Sequence, residues 1–328
     1  MTSASSSRCV DVIIAAWNRS QTIERAVLSA LAQSEVQKVI VVDDGSCDET
    51  GEKVTRCDPE HKRVILERLQ TNVGPAAARN IAIELSTAPW LAILDGDDFF
   101  LPRRIERIFS YASDCDLVAD RLLQVPEHHI DALHAARVVG GTFSGPQRLT
   151  LEQFVRGNIR KRRAGLRQEF GFLKPLIRRE FLDKHGLRYD PSLRLGEDYA
   201  LYAQALAAGA RFLLVPTAGY VSVERPDSLS GRHSKADLER FRDSDRRLMA
   251  RGALSGRERR ALAQHYVSAD CKIQWLTVIE GFKSRSIKDF LLPFWRSPRI
   301  SLYLLGKLAS EFSDRSLRLL TARSWPVR

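Results

Sequence analysis

An α/β fold built on a mostly parallel central sheet is what this sequence predicts, on three observations. Apolar, β-branched runs alternate with amphipathic helical stretches through about the first hundred residues. The opening strand–helix–strand spacing is that of a βαβ unit with a parallel pair. Two of the apolar runs end in clustered carboxylates, which places acid at the carboxyl edge of the sheet, where open α/β sheets bind ligands.

The elements follow in order. Cys9 to Ala16 reads as the first strand. Trp17-Asn18-Arg19-Ser20 comes next, with Asn18 or Ser20 suited to cap a helix. Ile23, Ala26, Val27, Ala30 and Leu31 recur at the spacing of one helical face. Lys38 to Val42 is a second buried strand, running out into Asp43-Asp44-Gly45-Ser46. Val64 to Leu69 is a third. Asn72-Val73-Gly74-Pro75 is a turn, and Pro75 suits the first position of a helix that carries on to Leu85. Trp90 to Leu94 is another strand, ending in Asp95-Gly96-Asp97-Asp98.

Three carboxylates within four residues repel each other unless a cation sits among them. Hard cations such as Mg²⁺ or Mn²⁺ take oxygen ligands and keep positions open for substrate phosphates. An acidic surface turn is the competing reading of this stretch taken alone. The second acidic strand end, at Asp43 and Asp44, favours one shared metal–phosphate crevice. Neither G-x-G-x-x-G after a strand nor G-x-x-x-x-G-K-[ST] is present, which argues against a dinucleotide dehydrogenase and a P-loop NTPase.

Composition is that of a soluble globular protein: 328 residues, 44% hydrophobic and 28% charged, with 51 Lys+Arg against 40 Asp+Glu. The excess of +11 lies in the tail, since residues 1–231 hold 30 basic and 30 acidic residues, and 232–328 hold 21 and 10. A basic tail suits an anionic partner, either a membrane surface or nucleic acid. The five Cys show no C-x-x-C and no zinc spacing, as expected of free thiols in a reducing compartment. The polar N-terminus lacks a signal core, and no run of about 18 apolar residues suggests a membrane-spanning helix.

The second half is less legible. Glu127-His128-His129 offers metal-ligand chemistry, but adjacent His residues point apart and a solvated turn fits better. Arg160-Lys161-Arg162-Arg163 suits either a solvated loop or phosphate contact. Gly196-Glu197-Asp198-Tyr199 opens a helix, where acids complement the macrodipole or, facing the crevice, act as a general base. Ser228 to Ser234, with Arg232 and His233, is a polar loop or a closure over pyrophosphate. The remainder is helical and basic. Leu291 to Arg299 mixes apolar, aromatic and cationic residues, which suits a membrane interface or packing on the main domain.

Five motifs in order carry a resemblance: Val-Ile-Ile-x-x-Trp-Asn18-Arg, Val-Val-Asp43-Asp44-Gly-Ser, Asn72-Val-Gly-Pro-x-x-x-Arg79-Asn80, Leu-Asp95-Gly-Asp97-Asp98 and Gly-Glu197-Asp198-Tyr. Over roughly residues 9–233 the chain resembles the inverting glycosyltransferases of family 2, with the GT-A type nucleotide-diphospho-sugar transferase fold. Among these it is most similar to bacterial exopolysaccharide glucosyltransferases of the succinoglycan-assembly type. The resemblance implies a disordered N-terminus over 1–8, a nucleotide-sugar-binding half over 9–115, an acceptor-binding half over 116–231 and a basic helical extension over 232–328.

It also implies roles. Asp44 would read the uracil of a UDP-sugar, with Ala15, Trp17 and Asn18 lining the uridine pocket. Asp95 and Asp97 are the D-x-D pair that meets the ribose and a divalent cation, Mg²⁺ or Mn²⁺. Asp98 would face the donor sugar, Arg79 the base or diphosphate, and His233 would add a metal or phosphate contact. Asp198 would be the catalytic base, with Glu197 its substrate-binding neighbour. Ala15-Ala16-Trp17 replaces the family's usual Pro-Thr-Tyr. The Q-x-x-R-W motif of processive synthases is absent, which favours addition of a single sugar. The implied function is transfer of a hexose, glucose, from a UDP-sugar to a lipid-linked oligosaccharide in exopolysaccharide biosynthesis, with a β-linkage. The enzyme would work in the cytoplasm, peripheral on the cytoplasmic face of the inner membrane. A sugar-nucleotide pyrophosphorylase and a basic nucleic-acid-binding protein are the alternatives.

Overall fold

The computed structural model describes residues 8–159, 168–225, 234–251 and 254–322, with side chains through residue 311. The N-terminal tail before Arg8, the run Arg160 to Arg163 and the Ser228–His233 loop lie outside the described residues.

The first half is strand β1 (Val10–Ala16), helix α1 (Ile23–Leu31), β2 (Val36–Asp43), α2 (Thr50–Cys57), β3 (Val64–Arg68), α3 (Pro75–Leu85) and β4 (Trp90–Ile93). The strands stand in the order β3-β2-β1-β4 and are all parallel. Helices cover both faces of such a sheet, so its strands are apolar throughout rather than alternating. Ile13, Ile14 and Val39 to Val42 are accordingly buried. Register then places the chemistry: Ala16 pairs with Asp43 and Ile13 with Ile93, so Asp43-Asp44 and Asp95 to Asp98 leave the sheet at one edge.

One local reading is corrected, and one helix went unread. Neither Asn18 nor Ser20 caps α1, which starts after Thr22 with no side-chain cap bond. Asn18 instead takes a left-handed φ of 51° within the turn. Helix α2 had no signal, because Val54 is its one large apolar anchor and the rest of it is polar or small.

The second half comprises β5 (Phe99–Phe100), α4 (Arg104–Phe109), β6 (Leu117–Pro126), β7 (Arg137–Val139), β8 (Gln147–Leu149), α5 (Leu151–Gly157), β9 (Leu176–Arg178), α6 (Arg179–Lys184), α7 (Glu197–Ala207) and β10 (Phe212–Glu224). β9 runs antiparallel between β4 and β6, and β10 lies parallel to β6, so one sheet continues through both halves. Glu127–His129 is a short 3-10 turn with the two imidazoles 4.3 Å apart. Among the described residues no cluster of three or more His, Cys, Asp or Glu is placed to hold a metal, so the metal reading of that turn is withdrawn.

The tail folds as α8 (Lys235–Ala250), α9 (Gly256–Lys283), α10 (Ile287–Leu291), a 3-10 turn over Leu292–Trp295, and α11 (Pro298–Ala322). Capping boxes start α8 at Ser234 with Asp237 and α9 at Ser255 with Glu258. Ile300 and Leu304 of α11 pack on Cys271 and Val278 of α9, in a small core separate from the main one.

Candidate active site

The nucleotide end of the crevice is built by the turns after β1 and β2. The Asp44 amide donates to the Ala16 carbonyl at 2.8 Å, extending the β1–β2 pairing past the strand ends. The Asn18 amide donates to Ser46 Oγ at 2.9 Å, and Asn18 Oδ1 accepts from the Cys47 amide at 3.0 Å. Ala15 is half-buried, whereas Trp17 is 43% exposed. The Asp44 carboxylate accepts the amides of Val73 at 2.7 Å and Gly74 at 2.9 Å, stapling this turn to the start of α3. Burial raises its pKa, against those two amides, and each oxygen keeps a further lone pair. Gly45 has a φ of +72°, and a Cβ there would lie 2.8 Å from the Thr71 carbonyl carbon, so this approach requires glycine.

The turn after β4 spreads its three carboxylates over different tasks. Asp95 meets Arg79 Nη2 at 2.7 Å and Lys174 Nζ at 2.8 Å. Burial alone would raise its pKa, but the two cations outweigh that and hold the group well below the usual carboxylate range. Asp97 lies 3.4 Å from Arg19 Nε, and Arg25 Nη2 donates to its carbonyl at 3.0 Å. Burial raises the Asp97 pKa, Arg19 opposes, and the Asp95 charge adds to the rise. Asp98 is buried. Its two oxygens accept from Tyr220 OH and the Val223 amide, both at 2.8 Å. Burial and the charges of Asp95 and Asp97 push it well above the carboxylate range. Asp98 thus anchors β10 through both of its oxygens.

Across from these stand Glu197 and Asp198, in the first turn of α7. Arg79 is the hub: Nη1 meets Glu197 Oε1 at 2.7 Å and lies 3.7 Å from Asp198 Oδ1, while Nη2 holds Asp95. Lys174 Nζ bonds Asp198 Oδ2 at 2.7 Å, and Tyr189 OH donates to Asp198 Oδ1 at 3.0 Å. Asn80 fixes Tyr189 by a reciprocal pair of backbone bonds, each 2.9 Å. From the far side, Tyr199 OH donates to Asp245 Oδ1 at 2.9 Å, and the other Asp245 oxygen lies 2.6 Å from His265 Nδ1, tying α7 to α8 and α9.

Of the residues singled out from sequence, Asp95, Arg79, Glu197 and Asp198 meet in one connected network. Asp97 lies beside it, Ala15, Trp17, Asn18 and Asp44 form the neighbouring turn, and Asp98 lies below. His233 is outside the described residues. Lys174, Tyr189 and Tyr220 were missed. A lysine set in Gly-Phe-Leu-Lys-Pro-Leu-Ile is the one signal that sequence offered, because an ammonium in an apolar run needs a buried partner. The donor chemistry suits a divalent cation at Asp97: this half-buried carboxylate feels the Asp95 charge, and a cation there would relieve the repulsion. With no three-ligand cage among the described residues, such an ion would rely on substrate phosphate and water for its remaining positions.

A parallel half-sheet with carboxylates at its edge, joined through Arg79 to a helix-borne acid pair, is the architecture of the GT-A fold. The comparisons agree. The model of glycosyl transferase family 2 matches residues 11–159. The succinoglycan biosynthesis protein ExoU of Rhizobium meliloti (strain 1021) is 46% identical over 259 residues, 78% of this chain and 74% of that protein. ExoO of the same organism is 33% identical over 318 residues, 96% and 87% of the two chains. This chain belongs to the family 2 glycosyltransferases, and it is an enzyme of that class. Among solved structures, S. aureus TarS 1-349 in complex with UDP-GlcNAc superposes with a TM-score of 0.63 at 18% identity, over 88% of this chain and 78% of that one. The Pyrobaculum calidifontis mannosyltransferase PcManGT, in complex with GDP-Man and Mn²⁺, gives 0.54 at 16%, over 93% and 87%. At those identities the likeness is one of fold.

Proposed function

We propose that this enzyme transfers a hexose, glucose, from a UDP-sugar to a hydroxyl of a lipid-linked oligosaccharide, with inversion to a β-glycoside, in assembly of a succinoglycan-type exopolysaccharide. One observation carries the reading: Arg79 joins Asp95, on the donor side, to the acceptor-side pair Glu197 and Asp198, while Asp97 lies beside Asp95 on Arg19. A substitution at the anomeric carbon that inverts its configuration needs a leaving group on one side of the ring and a base on the other. The two relatives named for succinoglycan biosynthesis support the pathway, and the fold neighbours with UDP-GlcNAc and GDP-Man support a nucleotide-sugar donor.

In this reading Ala15, Trp17, Asn18 and a free lone pair of Asp44 receive the uridine. Asp95 and Arg79 orient the ribose and diphosphate. Asp97 holds a divalent cation, Mg²⁺ or Mn²⁺, which when bound neutralises charge on the departing diphosphate. Asp198 accepts the proton of the acceptor hydroxyl, that oxygen bonds to the anomeric carbon, and the sugar–phosphate bond leaves with its electrons on UDP. Glu197 holds Arg79 in place.

The tail supports work at an anionic membrane surface, the cytoplasmic face of the inner membrane. Phe282, Ile287, Leu291, Leu292 and Trp295 are exposed, Trp295 by 85%, among Lys283, Arg285, Lys288, Arg296 and Arg299. No described helix is long and apolar enough to cross a membrane. Apolar side chains set among cations suit an interfacial position. The pyrophosphorylase and nucleic-acid readings give way to the family assignment.

The test is transfer of labelled glucose from UDP-glucose to a lipid extract of exopolysaccharide-producing cells. Wild type should label the lipid fraction, and Asp198→Asn should lose about 10³-fold or more, within the range of general base catalysis. Labelling by Asp198→Asn at the wild-type rate would refute the base, and no labelling by wild type would refute this donor and acceptor.

A further inference from the structure

We infer that Lys174 is a positioning residue for the transfer, tying the base Asp198 to the donor-side carboxylate Asp95. The inference rests on the reading of Asp198 as the base. Lys174 lies just before β9, and its side chain is only 8% exposed. It bonds Asp198 Oδ2 at 2.7 Å and Asp95 Oδ2 at 2.8 Å, so one nitrogen fixes the separation of the two carboxylates.

Its own position is imposed from below. The Lys174 carbonyl accepts from Arg104 Nη2 at 2.6 Å, and Arg104 forms a buried pair with Asp120 at 2.8 Å. A flexible side chain is therefore carried by a rigid backbone point, and Tyr189 OH holds the other oxygen of Asp198 from the opposite side. The carboxylate plane is thus set by two donors, with the second lone pairs left for an incoming hydroxyl.

Charge gives the second argument. Arg79 and Lys174 together serve Asp95, Glu197 and Asp198, all in a poorly solvated crevice. Without the ammonium, one guanidinium would face three carboxylates, which would then repel one another and splay. Asp95 keeps its Arg79 bond in that event, whereas Asp198 keeps only the tyrosine and an Arg79 contact of 3.7 Å. Loss of Lys174 should therefore fall on the base more than on donor binding, which appears as kcat rather than donor KM.

The experiment compares Lys174→Met, Asp198→Asn and the double variant in the full chain, by donor KM, kcat and Mn²⁺-dependent UDP affinity. Methionine keeps the length and apolar stem of the side chain. The expected result is a fall in kcat of about a hundredfold or more in Lys174→Met, with donor KM and UDP affinity within about threefold of wild type. In the Asp198→Asn background the lysine substitution should cost less than about threefold further, because the residue acts through Asp198. A Lys174→Met enzyme with raised KM and unchanged kcat would place Lys174 in donor binding and overturn the inference. So would additive losses in the double variant. If Asp198→Asn is itself active, the base assignment fails. If Asp198→Asn is inactive and Lys174→Met is normal, only the present inference fails. Should Lys174→Met not fold, Lys174→Gln serves in the same comparison. Failure of both to fold would make Lys174 a stability residue and overturn the inference equally.

Discussion

Gly196→Ala is a severe test of how the start of α7 is held. Gly196 precedes Glu197 with a φ of +70°, and a Cβ built there would lie 2.2 Å from Phe241 Cε2 and 2.4 Å from Cδ2. The ring has little room to retreat, because it stands edge-on to Tyr199 at 5.3 Å and to His265 at 5.4 Å. A non-glycine residue at positive φ costs roughly 1–2 kcal/mol, and overpacking adds about 1–3 kcal/mol. Together the loss should be about 2–5 kcal/mol, read from urea unfolding followed by fluorescence. Phe241→Leu removes the clashing ring, so Gly196→Ala measured in that background should cost only about 1–2 kcal/mol, the backbone share. Activity should follow, since the next two residues carry the acid pair: kcat falls in Gly196→Ala and recovers in part in the double variant. A loss below about 1 kcal/mol in the single variant would refute the reasoning, as would an equal loss in both backgrounds.

Further outcomes follow from the same geometry. Tyr189→Phe deletes one hydrogen bond to Asp198 and should lower kcat about tenfold at constant donor KM, with its deletion worth about 1–1.5 kcal/mol; steady-state kinetics checks it. Arg104→Met leaves Asp120 buried and unpaired, which should cost about 3–5 kcal/mol in a urea melt. Gly45→Ala should weaken UDP binding at least tenfold by calorimetry, because its Cβ cannot pass the Thr71 backbone without moving the Asp44 turn. Reversing Lys288 and Arg296 to Glu should reduce binding to vesicles rich in anionic lipid by about fivefold per unit of charge removed, at roughly 1 kcal/mol each, and leave neutral vesicles unaffected.

The sequence made the parallel half of the fold plain for a physical reason. A buried parallel strand must be apolar on both faces, so Val12 to Ala16, Val39 to Val42 and Leu91 to Leu94 stood out, and their carboxyl ends pointed to Asp43, Asp44 and Asp95 to Asp98. The second half hid its order, because β9 is three residues long and joins the two halves by antiparallel pairing that no local pattern encodes. In the site, residue types identified the carboxylates but not their tasks. Asp97 and Asp98 are neighbours of identical chemistry, yet one faces Arg19 and the other is sealed against β10 by Tyr220, 122 positions away. Lys174 escaped notice likewise, since its partners Asp95 and Asp198 lie far along the chain on either side.

The most direct measurement of the central claim is calorimetric titration of UDP with and without Mn²⁺ into wild type, Asp97→Ala and Asp198→Asn. Binding should depend on Mn²⁺ in wild type, be lost in Asp97→Ala and be retained in Asp198→Asn, because Asp97 faces the donor diphosphate and Asp198 the acceptor hydroxyl. Binding that ignores the metal and survives Asp97→Ala, or no UDP binding by the wild-type protein, would contradict that claim.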